Sequence, residues 1–532
     1  HNISGLNKMT KPKYKNAIIV IAIIAIITIL LSFLANSYIE QKIGEELQNV
    51  SESTKIEYTS INANIWTGNV EVVSPAILVS GETTNKTILE AKLKAIVIND
   101  VRYWDLLFND KITIESLVID ELIAKYKHNS VVKNEDYQSS FLDKIKQVIH
   151  AEKIAINKAD VLITNYESDS IILSIPNLNF EVLDFQINPK ASKANKKITY
   201  TDFELNAENV KWATNTYDDL MVDVMHVTNG KATFKDFQLK TKYSKTEYSA
   251  VLKTERDHFN LNVKEINISD MDFGFNTNDA FYFTSKKVDL IAPIAEIYRD
   301  KLVADDLTYK ALYGTSLRDL TFDLGLDMVE ITDGSISYLE KVNAEEQAGR
   351  LDFTNLNATF AKLGNTFGND DTAIEIQTTF MNDSPLKVNW NFKVADTTDQ
   401  FTFKADLGFF NAKQMDQFTQ PNLYVDLNGE LQQTYFTISG NPRTSRIDIK
   451  MKYDDFEVSI LKKDGKEKNK FLSSIVNLFV SKDSEDDKHN YRYGQSENVE
   501  RQTNKSVFNF IWLNVKAGLL SAIAGGGEQN TD

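Results

Sequence analysis

Apolar and polar residues alternate one for one through much of this chain. Val388, Trp390, Phe392 and Val394 are separated by Asn389, Asn391 and Lys393, and Phe401, Phe403, Ala405 and Leu407 by Thr402, Lys404 and Asp406. The same period of two runs from Phe322 through Leu324 and Leu326 to Met328, from Leu423 through Val425 to Leu427, and from Ile447 through Ile449 and Met451 to Tyr453. Successive side chains of a strand point to opposite faces, so each segment offers one apolar face and one wetted face. The pattern predicts a mainly β, antiparallel protein.

In the first half the alternation comes in shorter pieces, such as KITIESLVIDELIAKY at 111–126, EKIAINKADVLITNY at 152–166 and EINISDMDFGF at 265–275. Each holds a short alternating run, a slip of phase and a second run, which reads as a strand, a bulge or tight corner, and another strand. No fixed repeat period is countable. Helical spacing interrupts the strands at three places. Phe141, Ile145, Val148 and Ile149 form one apolar stripe, and Phe471, Ile475, Leu478 and Phe479 another. The third is the tail, where Phe508, Ile511, Trp512, Val515, Leu519 and Ile523 precede the glycines at 525–527. LIAPIAEIY at 290–298 is also compatible with a helix but contains Pro293.

Near the N-terminus the period disappears. Residues 17–35, AIIVIAIIAIITILLSFLA, carry no charge and follow Lys11, Lys13 and Lys15. A helix of that length is about 28 Å long, enough to cross a bilayer core. Ile18, Ile21, Ile24, Ile27, Leu30 and Leu34 are its anchor residues; Thr28 and Ser32 do not make the polar stripe of a buried core helix. Ala35 and Ser37 offer a small-x-small cleavage site, yet the run is longer than a signal-peptide core, so a retained anchor is the preferred reading. The lysines place the preceding segment in the cytoplasm and the bulk of the chain across the membrane. Met9, followed by TKPKYKN, is the more natural start of the chain than the eight residues before it. Ile39, Ile43, Leu47 and Val50 continue the helix as a stalk.

With no cysteine, disulfides and thiolate metal sites are excluded. A net charge of −16 argues against nucleic acid and against broad adhesion to anionic surfaces. The six histidines lack metal-ligand spacing, and the acidic pairs at 218–219, 305–306, 370–371 and 454–455 read as solvated turns. Asp270-Met271-Asp272-Phe273-Gly274 contains a kinase-like triplet without its partner motifs. Nothing calls for a cofactor or an enzyme.

An apolar strand face is either the inside of a filled sandwich or the floor of an open trough that holds acyl chains. Alternation is the same in both, and periodicity alone favours the filled core. Three stretches bear on the choice. IEYTSINANIWTGNVEVVSPAILVS at 56–80, soon after the apolar span, resembles the opening of AsmA-like proteins. VRYWDLLFNDKITIESLVIDELIAKY at 101–126 is similar to that family's next unit, and LYVDLNGELQQTYFTISGNPRTSRIDIKMKYDDFEVSILKK at 423–463 to its C-terminal region.

The resemblance implies a bacterial inner-membrane protein, single-pass, with a cytoplasmic N-terminus and a large periplasmic domain. That domain would be an elongated, curved antiparallel β-groove with a few short amphipathic helices, of the bridge-like lipid transfer type. It would guide phospholipids between inner and outer membranes and support outer-membrane integrity. Phospholipids and the inner membrane are the implied partners, with the outer membrane or an envelope protein at the far end and no nucleic acid. The rival is a non-enzymatic periplasmic scaffold or regulator of outer-membrane assembly. Candidate groove-lining residues are Phe322, Leu324, Leu326, Val388, Trp390, Phe392, Phe401, Phe403, Leu407, Leu423, Val425, Leu427, Ile447, Ile449 and Met451. Phe508, Trp512, Val515 and Leu519 form the docking face of the tail helix.

On this reading 1–16 are cytoplasmic, 17–35 transmembrane and 36–54 the stalk, followed by an N-terminal AsmA-like β-region at 55–200. A continued groove at 201–460, charged loops with a short helix at 461–505, and a helix and tail at 506–532 complete the chain. Some 25 to 30 strands side by side would make a groove of about 120 to 145 Å.

Overall fold

The computed structural model describes residues 54–64, 66–80, 87–102, 105, 109, 111–128, 147–191, 198–276, 280–461 and 491–524. The anchor (17–35, with Ile18, Ile21, Ile24, Ile27, Leu30 and Leu34), nearly all of the stalk and the helix expected around Phe471 to Phe479 lie outside the described residues. The protein is mainly β, with 66% strand, and splits into two compact units at 1–207 and 208–532. Among the described residues no helix is long and apolar enough to cross a membrane.

The first unit contains β1 (Thr54–Glu57), β2 (Ser60–Asn64), β3 (Asn69–Val73), β4 (Ala76–Ser80), β5 (Thr87–Lys92), β6 (Ala95–Val101), β7 (Lys111–Asp120), β8 (Ile123–His128), β9 (Val148–Asn165), β10 (Ile171–Ile187) and β11 (Ile198–Thr199). Its short strands form two ladders, β2-β3-β6-β7 and β1-β4-β5-β8, which both end on β9. The first half of β9 pairs with β7 and its second half with β8, both in parallel. Short strands lying end to end therefore share sheet positions in this unit.

A crease separates the two ladders, and it explains the slips of phase in the sequence. Ser74, Glu121, Lys158 and Asn177 have positive φ there. Backbone bonds run across it from Ser74 N to Lys94 O (2.8 Å), Lys94 N to Asp120 O (3.0 Å) and Glu121 N to Asn157 O (3.0 Å). One left-handed residue rotates the chain enough to return the next apolar side chain to the same face, at the cost of a three-residue step. Ile96, Ile114, Leu117, Ile149, Ile154 and Ile156 are fully buried, so this unit has a filled core.

The division between units falls within β12 (Asp202–Ala213). The second unit continues with β13 (Asp218–Thr228), β14 (Lys231–Thr241), α1 (Lys245–Val251), β15 (His258–Phe275), β16 (Phe281–Asp300), α2 (Tyr313–Arg318), β17 (Asp323–Lys341), β18 (Gly349–Gly364), β19 (Asp371–Phe380), β20 (Ser384–Lys393), β21 (Phe401–Leu407), β22 (Phe410–Asn411), α3 (Asp416–Leu423), β23 (Val425–Gly440), β24 (Thr444–Ile460), β25 (Arg492–Glu500) and α4 (Val507–Ala524). From β13 to β25 neighbours in sequence pair antiparallel, apart from the parallel pair β16–β17 and the small side strand β22.

Several expectations are corrected here. Val148 and Ile149 begin strand β9 rather than lying on a helix, and 290–298 is the second half of β16. Leu423 ends α3, whose chain leaves through left-handed Tyr424, so the strand starts only at Val425. Phe322 precedes β17, and Met328 is exposed because the phase slips to buried Val329. The segment expected as charged loops contains β25. Antiparallel pairing is broken three times by parallel pairs. Asp218 is not a solvated turn residue: it is buried, accepts from Thr241 (2.7 Å) and pairs with Arg256 (2.7 Å). Asp454 and Asp455 sit within β24, where Asp455 has positive φ.

A parallel pair needs a crossover, and residues 301–322 supply it. Arg318 of α2 holds buried Asp399 (3.0 and 3.1 Å) and donates to the carbonyl oxygens of Val394 (2.5 Å) and Asp396 (3.1 Å), fixing the crossover to the β20–β21 turn. At its start, Lys301 and Lys505 both bind the carboxylate of buried Glu255 (2.7 and 2.8 Å), and Lys505 also binds Asp305 (2.8 Å). Burial alone would raise the Glu255 carboxyl, but these two lysines hold it below its ordinary value. Burial works against the charge on Lys505, while Asp305 and Glu255 keep its pKa raised.

Candidate functional site

The second unit places its alternating strands in one register. Val227, Ala232, Ile268, Val288, Val329, Phe360, Ile374, Trp390, Phe403, Ile438 and Ile447 are successive cross-strand partners over eleven strands. A second row runs Met225, Phe234, Ile266, Leu290, Ile331, Ala358, Ile376, Val388, Ala405, Phe436 and Ile449 over the same strands. Between them lies a row on the opposite face: His226, Thr233, Asn267, Asp289, Glu330, Thr359, Glu375, Asn389, Lys404, Thr437 and Asp448. No apolar row contains a polar residue, and the intervening row contains no apolar one. Ten strand spacings make the apolar stripe about 48 Å long.

The stripe extends past a second crease. Asp236, Ala292, Asp333 and Asn355 have positive φ, and beyond them Leu239, Leu261, Ala295, Ile336 and Phe353 form a further cross-strand row. On β16 the step from Leu290 to Pro293 is three residues, and on β17 so is the step from Ile331 to Gly334, which packs against Pro293. A Cβ on Gly334 would stand 3.0 Å from the proline ring and 3.3 Å from the Leu356 carbonyl, tighter than an ordinary side-chain contact, so the two strands approach closely here.

Burial divides the stripe. Of the ten residues in the two long rows on β13–β17, three are buried, whereas on β19–β24 eight of ten are. The polar row on β13–β17 is half-buried too, with Lys287 bridging Asp289 (3.0 Å) and Glu330 (2.9 Å). These middle strands do not separate an inside from an outside. They are a sheet whose apolar face is wetted, an arrangement that leaves binding area available.

Of the candidate lining residues, Val388, Trp390, Phe392, Phe401, Phe403 and Ile447 belong to a core cluster with Leu312 of the crossover and Val507 and Phe510 of α4. Ile449 and Met451 pack with Ala522 of α4 in a second cluster, where Leu407 and Leu427 are partly buried. Val425 is buried as well, and Leu324, Leu326 and Leu423 are half-buried. For the buried set the filled-core alternative holds. The row residues on β13–β17 that keep apolar area in contact with water are Met225, Val227, Phe234, Ile266, Ile268, Leu290 and Ile331, none of which is among the candidates read from the sequence. Alternation at Ile266 and Ile268 was the available signal, and the bulges hid the rest.

The tail helix docks by a different face from the one expected. Val507, Phe510, Asn514, Gly518 and Ala522 are buried, while Phe508 is 61% and Trp512 40% exposed; Val515 and Leu519 are partly buried. Small residues decide this, because α4 lies directly on the sheet. A Cβ on Gly494 of β25 would stand 2.5 Å from both Gly518 O and Ala522 N, and one on Gly518 3.1 Å from Ile447 and Ile449. Buried Ser445 donates to Asn514 (2.8 Å), whose amide donates to Phe510 O (2.8 Å).

Among the described residues no group of three or more acidic or histidine side chains is placed to hold a metal ion. The chain matches no protein-family model and no curated protein in sequence.

Proposed function

We propose that the chain binds the acyl chains of phospholipids along the apolar face of β13–β18 and, held in a bacterial inner membrane by residues 17–35, guides them through the periplasm toward the outer membrane. The observation that carries this reading is the pair of all-apolar rows, eleven strands long, whose β13–β17 half is incompletely covered. Burying one large apolar side chain is worth roughly 1.5 to 3 kcal/mol, so the exposed part of five such strands is a strong, non-directional attraction for hydrocarbon. Passage along it needs no reacting group, only a surface of uniform apolarity with a polar reverse side. The AsmA-like segments at 56–80, 101–126 and 423–463 support the same assignment.

Photo-crosslinkers at Ile266 and at its neighbour Asn267, on the opposite face, test it in intact cells. Phospholipid should be labelled from Ile266 and not from Asn267. A third probe at Phe403, under the crossover and α4, should give little label. Equal labelling at the first two sites, or none at either, would replace the groove with the scaffold reading.

A further inference from the structure

The apolar face of the middle strands runs on past a third crease, at left-handed Asp270 and Lys362. Each strand takes a three-residue step there, from Ile268 to Met271, Val288 to Ser285, Val329 to Leu326 and Phe360 to Leu363, and the four new positions are again cross-strand partners. Beyond them Phe273, Phe283 and Leu324 form the next row. Phe275, Phe281 and Phe322 form the last, with successive ring centroids 5.8 and 6.1 Å apart. None of these six is buried, and Phe275 and Phe281 are 44% and 38% exposed. At the end of this face lies a cavity of about 280 Å³. Asn365 on its wall accepts from the Leu324 amide (2.8 Å) and donates to Phe322 O (3.0 Å), so the cavity borders the last two rows. Thr372 and Val394, also on the wall, stand two residues from Ile374 and Phe392, which puts the cavity on the apolar side of the sheet. Pockets for drug-sized ligands begin at roughly 300 Å³, so this one takes a small group and not a whole lipid.

The wall carries one cation and one anion, each already matched once. Arg318 spends its terminal N–H groups on Val394 O, Asp396 O, Thr315 Oγ1 and Asp399, while its Nε–H has no partner among the described residues and the side chain is 27% exposed. Asp370 accepts from Lys362 (2.7 Å) at one carboxylate oxygen, and the other has no partner among the described residues. A simple anion would meet Asp370 and a simple cation would meet Arg318, whereas a zwitterion uses both. We infer that the cavity receives a phosphodiester joined through a short link to a primary ammonium, the headgroup chemistry of phosphatidylethanolamine. A phosphate oxygen accepts from Arg318 Nε–H, the ammonium donates to Asp370, and Phe367 and Ala395 wall the methylenes between them. The acyl chains lie over the two rows from Phe273 to Phe322, a placement that rests on the acyl-chain reading above. A quaternary ammonium fills the same space but has no N–H for Asp370.

The test titrates the full chain in amphipol, by heat of binding, with dihexanoyl phosphatidylethanolamine, phosphatidylcholine and phosphatidylglycerol below their micelle concentrations, and with free glycerophosphoethanolamine. Phosphatidylethanolamine should bind about tenfold more tightly than phosphatidylcholine, which lacks the donor, or phosphatidylglycerol, which lacks the cation, as expected for one charge-assisted hydrogen bond. Free glycerophosphoethanolamine should bind more weakly than the lipid that carries it. Asp370→Asn, at an exposed turn, should erase the preference by weakening phosphatidylethanolamine about tenfold while phosphatidylcholine is unchanged. Equal or reversed affinities for the three lipids, or a preference that survives Asp370→Asn, would overturn the inference and leave the acyl-chain reading in place. Binding of glycerophosphoethanolamine with none of the lipids would keep the site, assign it to a soluble zwitterion and remove the acyl-chain reading. No binding by any of the four would remove both. The ranking of the lipids on the unsubstituted chain decides the matter even where the variant folds poorly.

Discussion

Strands β13–β17 and β19–β24 carry the same two apolar rows in the same register, yet one half is wetted and the other is a core. The difference lies in two segments elsewhere in the chain. The parallel pairing of β16 with β17 forces a crossover, and that crossover brings Leu312 and α2 over β19–β21. Helix α4 covers β23–β25 through its small residues. An amphipathic sheet is thus a neutral scaffold, and what lies over it decides whether an apolar row stabilises the fold or remains free to bind.

The largest expected difference between the halves comes from truncating equivalent row residues. Ile447→Ala, at a position with no exposure, should cost about 3 to 4 kcal/mol in denaturant unfolding, because a cavity is left beneath α4. Ile266→Ala should cost only about 1 kcal/mol, since water already reaches that site. Equal losses would mean that the two halves are covered alike.

Gly494→Ala should cost about 3 kcal/mol, the upper end for overpacking, because the new methyl meets helix backbone that cannot rotate away. Its signature is faster hydrogen exchange in α4 with β14–β16 unchanged. Uniform acceleration would show that α4 and the middle strands open together.

A smaller effect, about 2 kcal/mol, is expected from Glu255→Gln, which weakens the tie between the crossover and the start of α4. The folded pKa of Glu255 lies below its unfolded value, so its contribution is present above roughly pH 4.3 and is lost as pH falls through the folded pKa. Lys505 is shifted upward, so its contribution is present below roughly pH 10.4 and is lost as pH rises through the folded value. Protection of α4 amides should therefore hold between about pH 5 and 10 and drop on either side, with the acid limb flattened in Glu255→Gln. A variant with the parent's acid limb would remove Glu255 from this role.

The smallest change is expected at Asp416, whose carboxyl is pushed up by burial and by the neighbouring Asp426. Asp416→Asn keeps an acceptor for the Leu427 amide (3.0 Å) and removes the repulsion, so stability at pH 7 should rise by less than about 0.5 kcal/mol. A clear loss would show that the pair needs its charge.

Local rules determined a good part of this protein by themselves. Period-two alternation is set by strand geometry, so the mainly β class and the face of each residue on β20, β21 and β24 were legible, as were the corners within 111–126, 152–166 and 265–275. The tertiary structure alone decided the parallel pairing of β16 with β17, the strand fate of 290–298 despite Pro293, and the face by which α4 docks. It also decided which half of the stripe is covered. The physical reason is that alternation records only that a side chain leaves the polar face. Whether another segment then lies over it depends on contacts from residues far away in the chain, such as Leu312 and Phe510 on Trp390's cluster, and no local period encodes those.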